Sequence, residues 1–235
     1  MKEGGLYSAD MMHTPVRAPR PVLFDLDGTL ADTIPLLLAS MHAAYAAIGG
    51  IVPEERAWLR GMGTPLRAQF MHFESDDLAR VEALIGVYRD FQVDNLAAFV
   101  KEYDGIRELL VALRERGHPI AVVTGKGEWM AQLTLKQVDL LDPFEVIVGA
   151  EATTRHKPDA DPLLVGAERL GVAVTGAVYV GDAPNDVLAA RAAGMIDVWA
   201  AWGPFTSAEL EPFAPTHTVV APREVLALLD RMSEQ

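Results

Sequence analysis

Short apolar runs alternate along this chain with amphipathic segments, and this alternation constrains the fold more than any other feature. The amphipathic segments include Gly105–Arg116, Pro162–Leu170 and Pro184–Ala193, each followed by a glycine (Gly117, Gly171, Gly194) where a left-handed residue is expected to end a helix. Alternating strands and helices predict an α/β fold, with a parallel sheet covered by helices on both faces. The apolar runs typical of buried strands are Pro21–Leu26, Ile120–Thr124, Glu145–Gly149, Ala177–Gly181, Met195–Ala200 and, more weakly, His217–Val220.

Residues 33–103 interrupt this rhythm, since they contain helix-like stretches and no convincing strand. We therefore expect an all-helical insertion, a cap, between two parts of one core at 20–32 and 104–235. Residues 1–19 are rich in Gly and Pro and are expected to form a disordered leader. The predicted cap helices are Ile34–Ile48, Glu54–Arg60, Pro65–His72 and two more within Asp76–Val100.

Charge and composition exclude several classes of function. The net charge of −13 argues against nucleic acid as a partner, because binding a phosphate backbone needs a cationic surface. The chain has no cysteine, so disulfides, thiolate metal sites and cysteine nucleophiles are excluded. No apolar run is long enough for a signal peptide or a membrane span. We expect a cytoplasmic protein, monomeric or homodimeric, and a small phosphorylated ligand remains compatible with its charge.

Polar side chains stand where successive predicted strands end. In an open α/β sheet, ligands bind outside the carboxyl ends of the strands, so these side chains are expected to converge although they are far apart in sequence. They are Asp25 and Asp27 after the first strand, Thr124 after the second, Lys157 in the loop after the third, and Asp182 with Asp186 after the fourth.

The residue types at these strand ends suit phosphoryl transfer. A carboxylate such as Asp25 can accept a phosphoryl group, and a second one, Asp27, can protonate the leaving group and then activate water. A divalent cation bound by Asp25 and Asp182 would remove the repulsion between carboxylate and phosphate. Ligation by oxygen alone favours Mg²⁺.

The other strand-end residues are candidates for binding phosphate. We expect Thr124 to begin a helix, where its hydroxyl and the following N–H groups, with Gly125 allowing close approach, can hold phosphate oxygens. The alternative for Thr124 is that it serves only as a helix cap, and it could also do both. Lys157 supplies a positive charge, and Asp186 is expected near the metal, orienting either a bound water or Lys157; a purely structural role is an equal alternative.

Taken together, four motifs in order resemble the haloacid dehalogenase superfamily of phosphotransferases. They are DLDGT at 25–29, VVTG at 122–125, KPDADP at 157–162 and GDAPND at 181–186. The resemblance implies a Rossmann-like core, a mobile helical cap between the first two motifs, Asp25 as nucleophile and Asp27 as acid and base. It also implies Mg²⁺ held by the side chains of Asp25 and Asp182 and the backbone carbonyl of Asp27.

Within that superfamily, DLDGTLADT followed by an Ala- and Leu-rich helix most resembles phosphoglycolate phosphatases. A phosphomonoester with a carboxylate or polyol group, phosphoglycolate first, is therefore the expected substrate. Asp27 counts against the dehalogenase branch, and the lack of any Lys between residues 33 and 100 against phosphonoacetaldehyde hydrolases. Leu37 stands where sugar-phosphate mutases usually carry a His. A mutase remains the alternative enzyme, and a non-catalytic phospholigand-binding protein the alternative outside enzymes.

The cap segment 59–70 carries two arginines, Arg60 and Arg67, next to Gly61 and Gly63. One hypothesis is that this segment reaches over the active site and that one of these arginines meets a substrate carboxylate. The alternative is a turn between two helices with solvated arginines.

Overall fold

A computed structural model describes residues 18–74 and 77–234. Six of its strands form one parallel sheet in the order β5-β4-β1-β6-β7-β8, and the other two form a small antiparallel pair. The strands are β1 (Val22–Phe24), β2 (Ala31–Asp32), β3 (Lys101–Glu102), β4 (Ile120–Val123), β5 (Val146–Val148), β6 (Val178–Gly181), β7 (Ile196–Ala200) and β8 (His217–Val219).

The described chain also contains ten α-helices. They are α1 (Ile34–Ile48), α2 (Glu55–Leu59), α3 (Leu66–Glu74), α4 (Leu78–Phe99), α5 (Ile106–Glu115), α6 (Glu128–Gln137), α7 (Asp161–Leu170), α8 (Pro184–Ala192), α9 (Ser207–Leu210) and α10 (Arg223–Ser233). None of the helices in these described ranges has the length and apolarity needed to span a membrane.

Both faces of the six-stranded sheet are buried, which explains why its strands are almost continuously apolar. Val22 and Phe24 of β1 pack against α5, α6 and α10, whereas Leu23 between them points to α7 and α8 on the opposite face. The predicted α/β fold is confirmed. All six predicted strands are present, and Gly117, Gly171 and Gly194 have φ of 74°, 71° and 73°.

Helices α1–α4 lie between β2 and β3 in sequence and enclose a hydrophobic core of their own. Trp58 and Phe70 are at its centre with ring centroids 4.9 Å apart, and Tyr88 packs edge-on against Phe70. The pairing of β2 with β3 brings the two ends of this helical segment together beside β1. The helical segment therefore has a hydrophobic core of its own, and the ribbon of β2 and β3 joins it to the sheet.

Several expectations about local structure are wrong. Residues 78–99 form one helix rather than two, because no proline interrupts the segment and Gly86 is exposed, where a missing side chain leaves no void. Lys101–Glu102 forms a short strand in a segment predicted to be helical throughout. Thr124 does not begin a helix, since α6 starts at Glu128. The helix expected at Thr124 is thus α6 with a later start, whereas α9 and α10 were not predicted. The predicted leader falls mostly in residues 1–17, outside the described residues.

Candidate active site

Asp25 directly follows β1, which lies between β4 and β6 near the middle of the sheet. Its backbone N–H donates to the carbonyl of Val180 at 2.9 Å, so the backbone is still held by β6 while the buried side chain projects beyond the strand end. Gly28 then turns the chain with φ of 82°, and a Cβ there would collide with the carboxylate of Asp182. The loop after β1 is thereby packed onto the loop after β6.

Lys157 connects three strand ends through its buried ammonium group. Its Nζ lies 3.0 Å from Oδ1 of Asp25 and donates to Oδ1 of Asp186 at 2.6 Å and to the hydroxyl of Tyr179 at 3.0 Å. Tyr179 in turn donates to the carbonyl of Val123 at the end of β4. Because the Lys157 side chain is 1 % exposed, its charge is little screened by water and acts strongly on the groups around it.

Three buried carboxylates, those of Asp25, Asp182 and Asp186, can each direct one oxygen to within 4.8 Å of the others. Oδ1 of Asp25 and Oδ2 of Asp182 are buried without a hydrogen-bond partner among the described residues, the former despite its ionic contact with Lys157. With all groups ionised, three carboxylates and one ammonium leave a net charge of −2. Oxygen ligands, two unpartnered oxygens and this charge fit a bound divalent cation.

Burial and the charges of neighbouring carboxylates disfavour the ionised forms of Asp25 and Asp182 when no cation is present. Burial raises the pKa of Asp25 from 3.8 to about 6, against the lowering effect of Lys157 and with smaller raising effects of Asp186 and Asp27. Burial, followed by the charges of Asp186 and Asp25, raises the pKa of Asp182 well above its usual range, although a hydrogen bond from Thr29 opposes this. Burial alone would lower the pKa of Lys157, but Asp186 and Asp25 raise it well above normal.

Asp27 lies apart from this buried cluster and makes two different contacts. Its Oδ1 accepts a hydrogen bond from Thr33 at 2.7 Å, and its Oδ2 accepts one from Nζ of Lys126 at 2.8 Å. Thr33 immediately precedes α1, and Lys126 is in the loop after β4. The carboxylate of Asp27 is therefore tied to the start of the helical segment and to a neighbouring loop.

A cavity of about 520 Å³ opens between the sheet and the helical segment. Asp25, Asp27, Thr124 and Gly125 line it from the sheet side, so the structure brings these predicted site residues together. The hydroxyl of Thr124 accepts a hydrogen bond from the backbone N–H of Lys126 at 3.3 Å, which shapes the loop after β4. Such a volume suits a small ligand.

Contacts across the cavity keep the helical segment close to the sheet. A Cβ on Gly125 would overlap the backbone carbonyl of Gly63, so only glycine permits this approach. Asn185 donates to the carbonyl of Met62 at 3.3 Å. Further from the cavity, Arg56 of α2 binds Glu209 and the carbonyl of Pro204.

The two predicted cap arginines occupy different places. Arg60 is exposed and is not among the residues lining the cavity. Arg67 does line it, but its guanidinium is ion-paired with Glu82. Three cavity-lining residues of α4, Tyr88, Arg89 and Gln92, were not predicted as site residues.

Several residues beside the predicted set were missed. Lys126 directly follows the Thr124–Gly125 pair, and this position is the signal that could have identified it. Thr33 and Tyr179 gave no comparable signal, because their importance arises from contacts with Asp27 and Lys157 that only the fold creates.

The chain is similar in sequence and in structure to several known proteins. A sequence model of haloacid dehalogenase-like hydrolases matches residues 22–200. A phosphoglycolate phosphatase from Xanthomonas campestris pv. campestris is 38 % identical over 192 residues, covering 80 % of this chain and 86 % of that protein. A Clostridium perfringens protein provisionally named as the pyrophosphatase PpaX is 32 % identical, covering 91 % and 99 %. The crystal structure of a Pseudomonas syringae hydrolase superposes with a TM-score of 0.82 at 25 % identity, covering 91 % and 99 %.

Proposed function

Because this chain belongs to the family of haloacid dehalogenase-like hydrolases, we propose that it is a Mg²⁺-dependent phosphatase that hydrolyses a small phosphomonoester through a phosphoryl group carried on Asp25. The observation that carries this proposal is the buried cluster of Asp25, Asp182, Asp186 and Lys157 next to an open cavity of about 520 Å³. Buried carboxylates with unpartnered oxygens destabilise the folded state unless a bound group compensates them, and clusters of this kind are typical of functional sites.

Asp25 and Asp182 are the residues that would hold the cation, since each contributes a buried oxygen without a hydrogen-bond partner in the described chain. Bound there, Mg²⁺ would supply positive charge that offsets repulsion between the phosphate and the carboxylates. Asp186 accepts hydrogen bonds from Lys157 and from the backbone N–H of Ala183, so its two oxygens are already engaged. Its proposed role is to orient Lys157 beside the cation.

In the first half-reaction, an oxygen of Asp25 attacks phosphorus, and the bond between phosphorus and the ester oxygen breaks. The leaving oxygen takes a proton from Asp27, which lines the same cavity. To deliver that proton, Asp27 must exchange its contact with Lys126 for one with the leaving group. Thr124 and the backbone at Gly125 are placed to hold the phosphoryl oxygens, and Lys157 to stabilise their charge.

In the second half-reaction, water attacks phosphorus and the bond to Asp25 breaks, which releases inorganic phosphate. Asp27 accepts the proton from that water and so returns to the protonated form in which it began the first half-reaction as an acid. Transfer of the phosphoryl group to a second sugar would require room and a base for a hydroxyl. At the position where mutases usually carry a His, buried Leu37 lines the cavity instead, which supports hydrolysis.

The proposed substrate is a small phosphomonoester of the phosphoglycolate type. Relatives named phosphoglycolate phosphatase support this choice, and the cavity has the size for such a molecule. The relative provisionally named as a pyrophosphatase makes pyrophosphate the comparison substrate that any assay must include.

The test is release of inorganic phosphate from 2-phosphoglycolate by the purified protein with Mg²⁺, after treatment with EDTA and after Mg²⁺ is restored. We expect activity to stop on chelation, to return with Mg²⁺, and to be abolished in Asp25→Asn. The matched control is Asp142→Asn, which changes an exposed carboxyl outside the cavity and should leave turnover unchanged. Turnover by Asp25→Asn close to that of the unaltered protein, or after exhaustive chelation, would refute the proposal.

A further inference from the structure

One wall of the cavity is formed by a patch of three residues on α4: Tyr88, Arg89 and Gln92. Tyr88 and Gln92 are four residues apart and Arg89 and Gln92 three, so one face of the helix presents all three. Tyr88 is near enough to Asp27 that the charge of this carboxylate contributes to raising the tyrosine pKa, after the larger effect of burial. The patch therefore faces the reacting groups across the cavity.

Among the arginine and lysine side chains that line the cavity, Arg89 differs from the other two. Arg67 is ion-paired with Glu82, and Lys126 with Asp27. Arg89 makes neither an ion pair nor a side-chain hydrogen bond with any residue in the described ranges, and its side chain is exposed. It is thus an uncompensated positive charge at a cavity whose floor is acidic.

Gln92, one helical turn further, has an unused donor. The residue is 3 % exposed, and its side-chain NH₂ group is buried without an acceptor among the described residues. A buried donor left without a partner destabilises the native state, so an acceptor supplied by a ligand would be favourable. A charged donor and a neutral donor, three residues apart on one helix and both lining the cavity, match the oxygens of an anion.

On the basis of the proposed function, we propose that Arg89 and Gln92 bind a carboxylate of the substrate while its phosphate lies at Asp25. One guanidinium and one amide supply a single positive charge, which suits a monoanionic carboxylate better than a second phosphate carrying up to two charges. The sequence suggested Arg60 or Arg67 as the residue that binds a substrate carboxylate, and the present proposal assigns that role to Arg89 and Gln92 of α4 instead.

The experiment compares two substrates that differ only in the group concerned. In 2-hydroxyethyl phosphate, a CH₂OH group replaces the carboxylate of 2-phosphoglycolate. For Arg89→Ala we expect kcat/KM with 2-phosphoglycolate to fall at least about tenfold, mainly through KM, as expected when one charge-assisted hydrogen bond is lost. With 2-hydroxyethyl phosphate the change should stay within about twofold, because that substrate has no charge for Arg89 to bind. Arg89→Lys should restore part of the loss.

Two further variants complete the design. Gln92→Leu keeps the bulk of the side chain without its donor. We expect kcat/KM to fall about fivefold for 2-phosphoglycolate and to stay unchanged for 2-hydroxyethyl phosphate. Arg114→Ala is the matched control, since it removes an exposed guanidinium from α5, away from the cavity, that likewise has no side-chain partner in the described ranges. It should change neither substrate's kinetics.

If Arg89→Ala lowers kcat/KM equally for both substrates, or for neither, the inference is overturned. Phosphate release by the unaltered protein would in that case still support the proposed function. A greater dependence on Arg89 for pyrophosphate than for 2-phosphoglycolate would overturn the assignment to a carboxylate. Failure of the unaltered protein to release phosphate from any of these substrates would overturn both proposals.

Discussion

Replacing Asp25 by Asn should stabilise the metal-free protein although it abolishes turnover. The pKa of this carboxyl is raised from 3.8 to about 6, chiefly by burial. The ionised side chain is therefore less favourable in the native state than in the unfolded chain by about 3 kcal/mol at pH 7. Asn has nearly the same shape and no charge, so it removes this unfavourable contribution. For a chain of this length, we expect the melting temperature of the metal-free variant to be roughly 6–12 °C higher than that of the unaltered protein.

The pH dependence follows from the same shift. Between pH 4 and 6 the native state of the metal-free protein retains a proton on Asp25 that the unfolded state has lost. The contribution of this group to the free energy of unfolding of the metal-free protein therefore increases as the pH falls through about 6 towards 4. The difference between Asp25→Asn and the unaltered protein should accordingly be largest at pH 7 and shrink as the pH is lowered.

The assay is thermal or urea unfolding of both proteins, monitored by circular dichroism, in EDTA at pH 5 and pH 7. The same measurements are then repeated with saturating Mg²⁺. A cation at 100 times its Kd stabilises the protein it binds by about 2.7 kcal/mol, and Asp25→Asn should lose most of this effect. Asp142→Asn serves as the control for removing a carboxylate. A variant less stable than the unaltered protein in EDTA at pH 7 would refute the reasoning about the buried charges.

Three more substitutions test other contacts of the site. Lys157→Met leaves the carboxylates of Asp25 and Asp186 without their ammonium and should reduce the free energy of urea unfolding by about 3–5 kcal/mol; an unchanged midpoint would contradict the assigned ion pairs. Gly125→Ala places a Cβ against the carbonyl of Gly63 and should lower kcat/KM about 100-fold by displacing the cap segment, and steady-state kinetics equal to those of the unaltered protein would contradict that contact. Lys126→Ala removes a partner of Asp27 while its bond from Thr33 remains, so kcat should fall about tenfold or more with little change in KM, whereas a change confined to KM would mean that Lys126 serves only binding.

Much of the fold could be predicted from the sequence because burial on both faces leaves a clear pattern. Each sheet strand is a short apolar run, and the turn after a helix is marked by glycines such as Gly117 and Gly194, whose φ values are positive. The pairing of Ala31–Asp32 with Lys101–Glu102 has no such pattern, since two-residue strands are too short to show a period. The start of helix α6 was placed too early, at Thr124, because the sequence does not show that the loop Thr124–Gly127 separates this helix from β4.

The strand-end site was predictable for a topological reason. Parallel strands bring their carboxyl ends to one edge, so Asp25 and Asp182 meet across adjacent strands β1 and β6 although more than half the chain separates them. The wall of the cavity opposite this edge was not predictable in the same way. Arg67 is ion-paired with Glu82 because α3 packs against α4, whereas Arg89 has no such partner in the described ranges. The sequence alone does not show which of the two arginines is paired. Motifs thus indicate the chemistry, while specificity depends on contacts between helices.

The most direct test of the central claim is to trap the phosphoryl group on the enzyme. Rapid mixing with 2-phosphoglycolate and Mg²⁺, followed by borohydride, would reduce an aspartyl phosphate to homoserine, which peptide mass spectrometry locates in the sequence. We predict homoserine at position 25, dependent on substrate and absent from Asp25→Asn. Homoserine at another aspartate, or continued phosphate release with none at position 25, would contradict the assignment of Asp25 as the nucleophile.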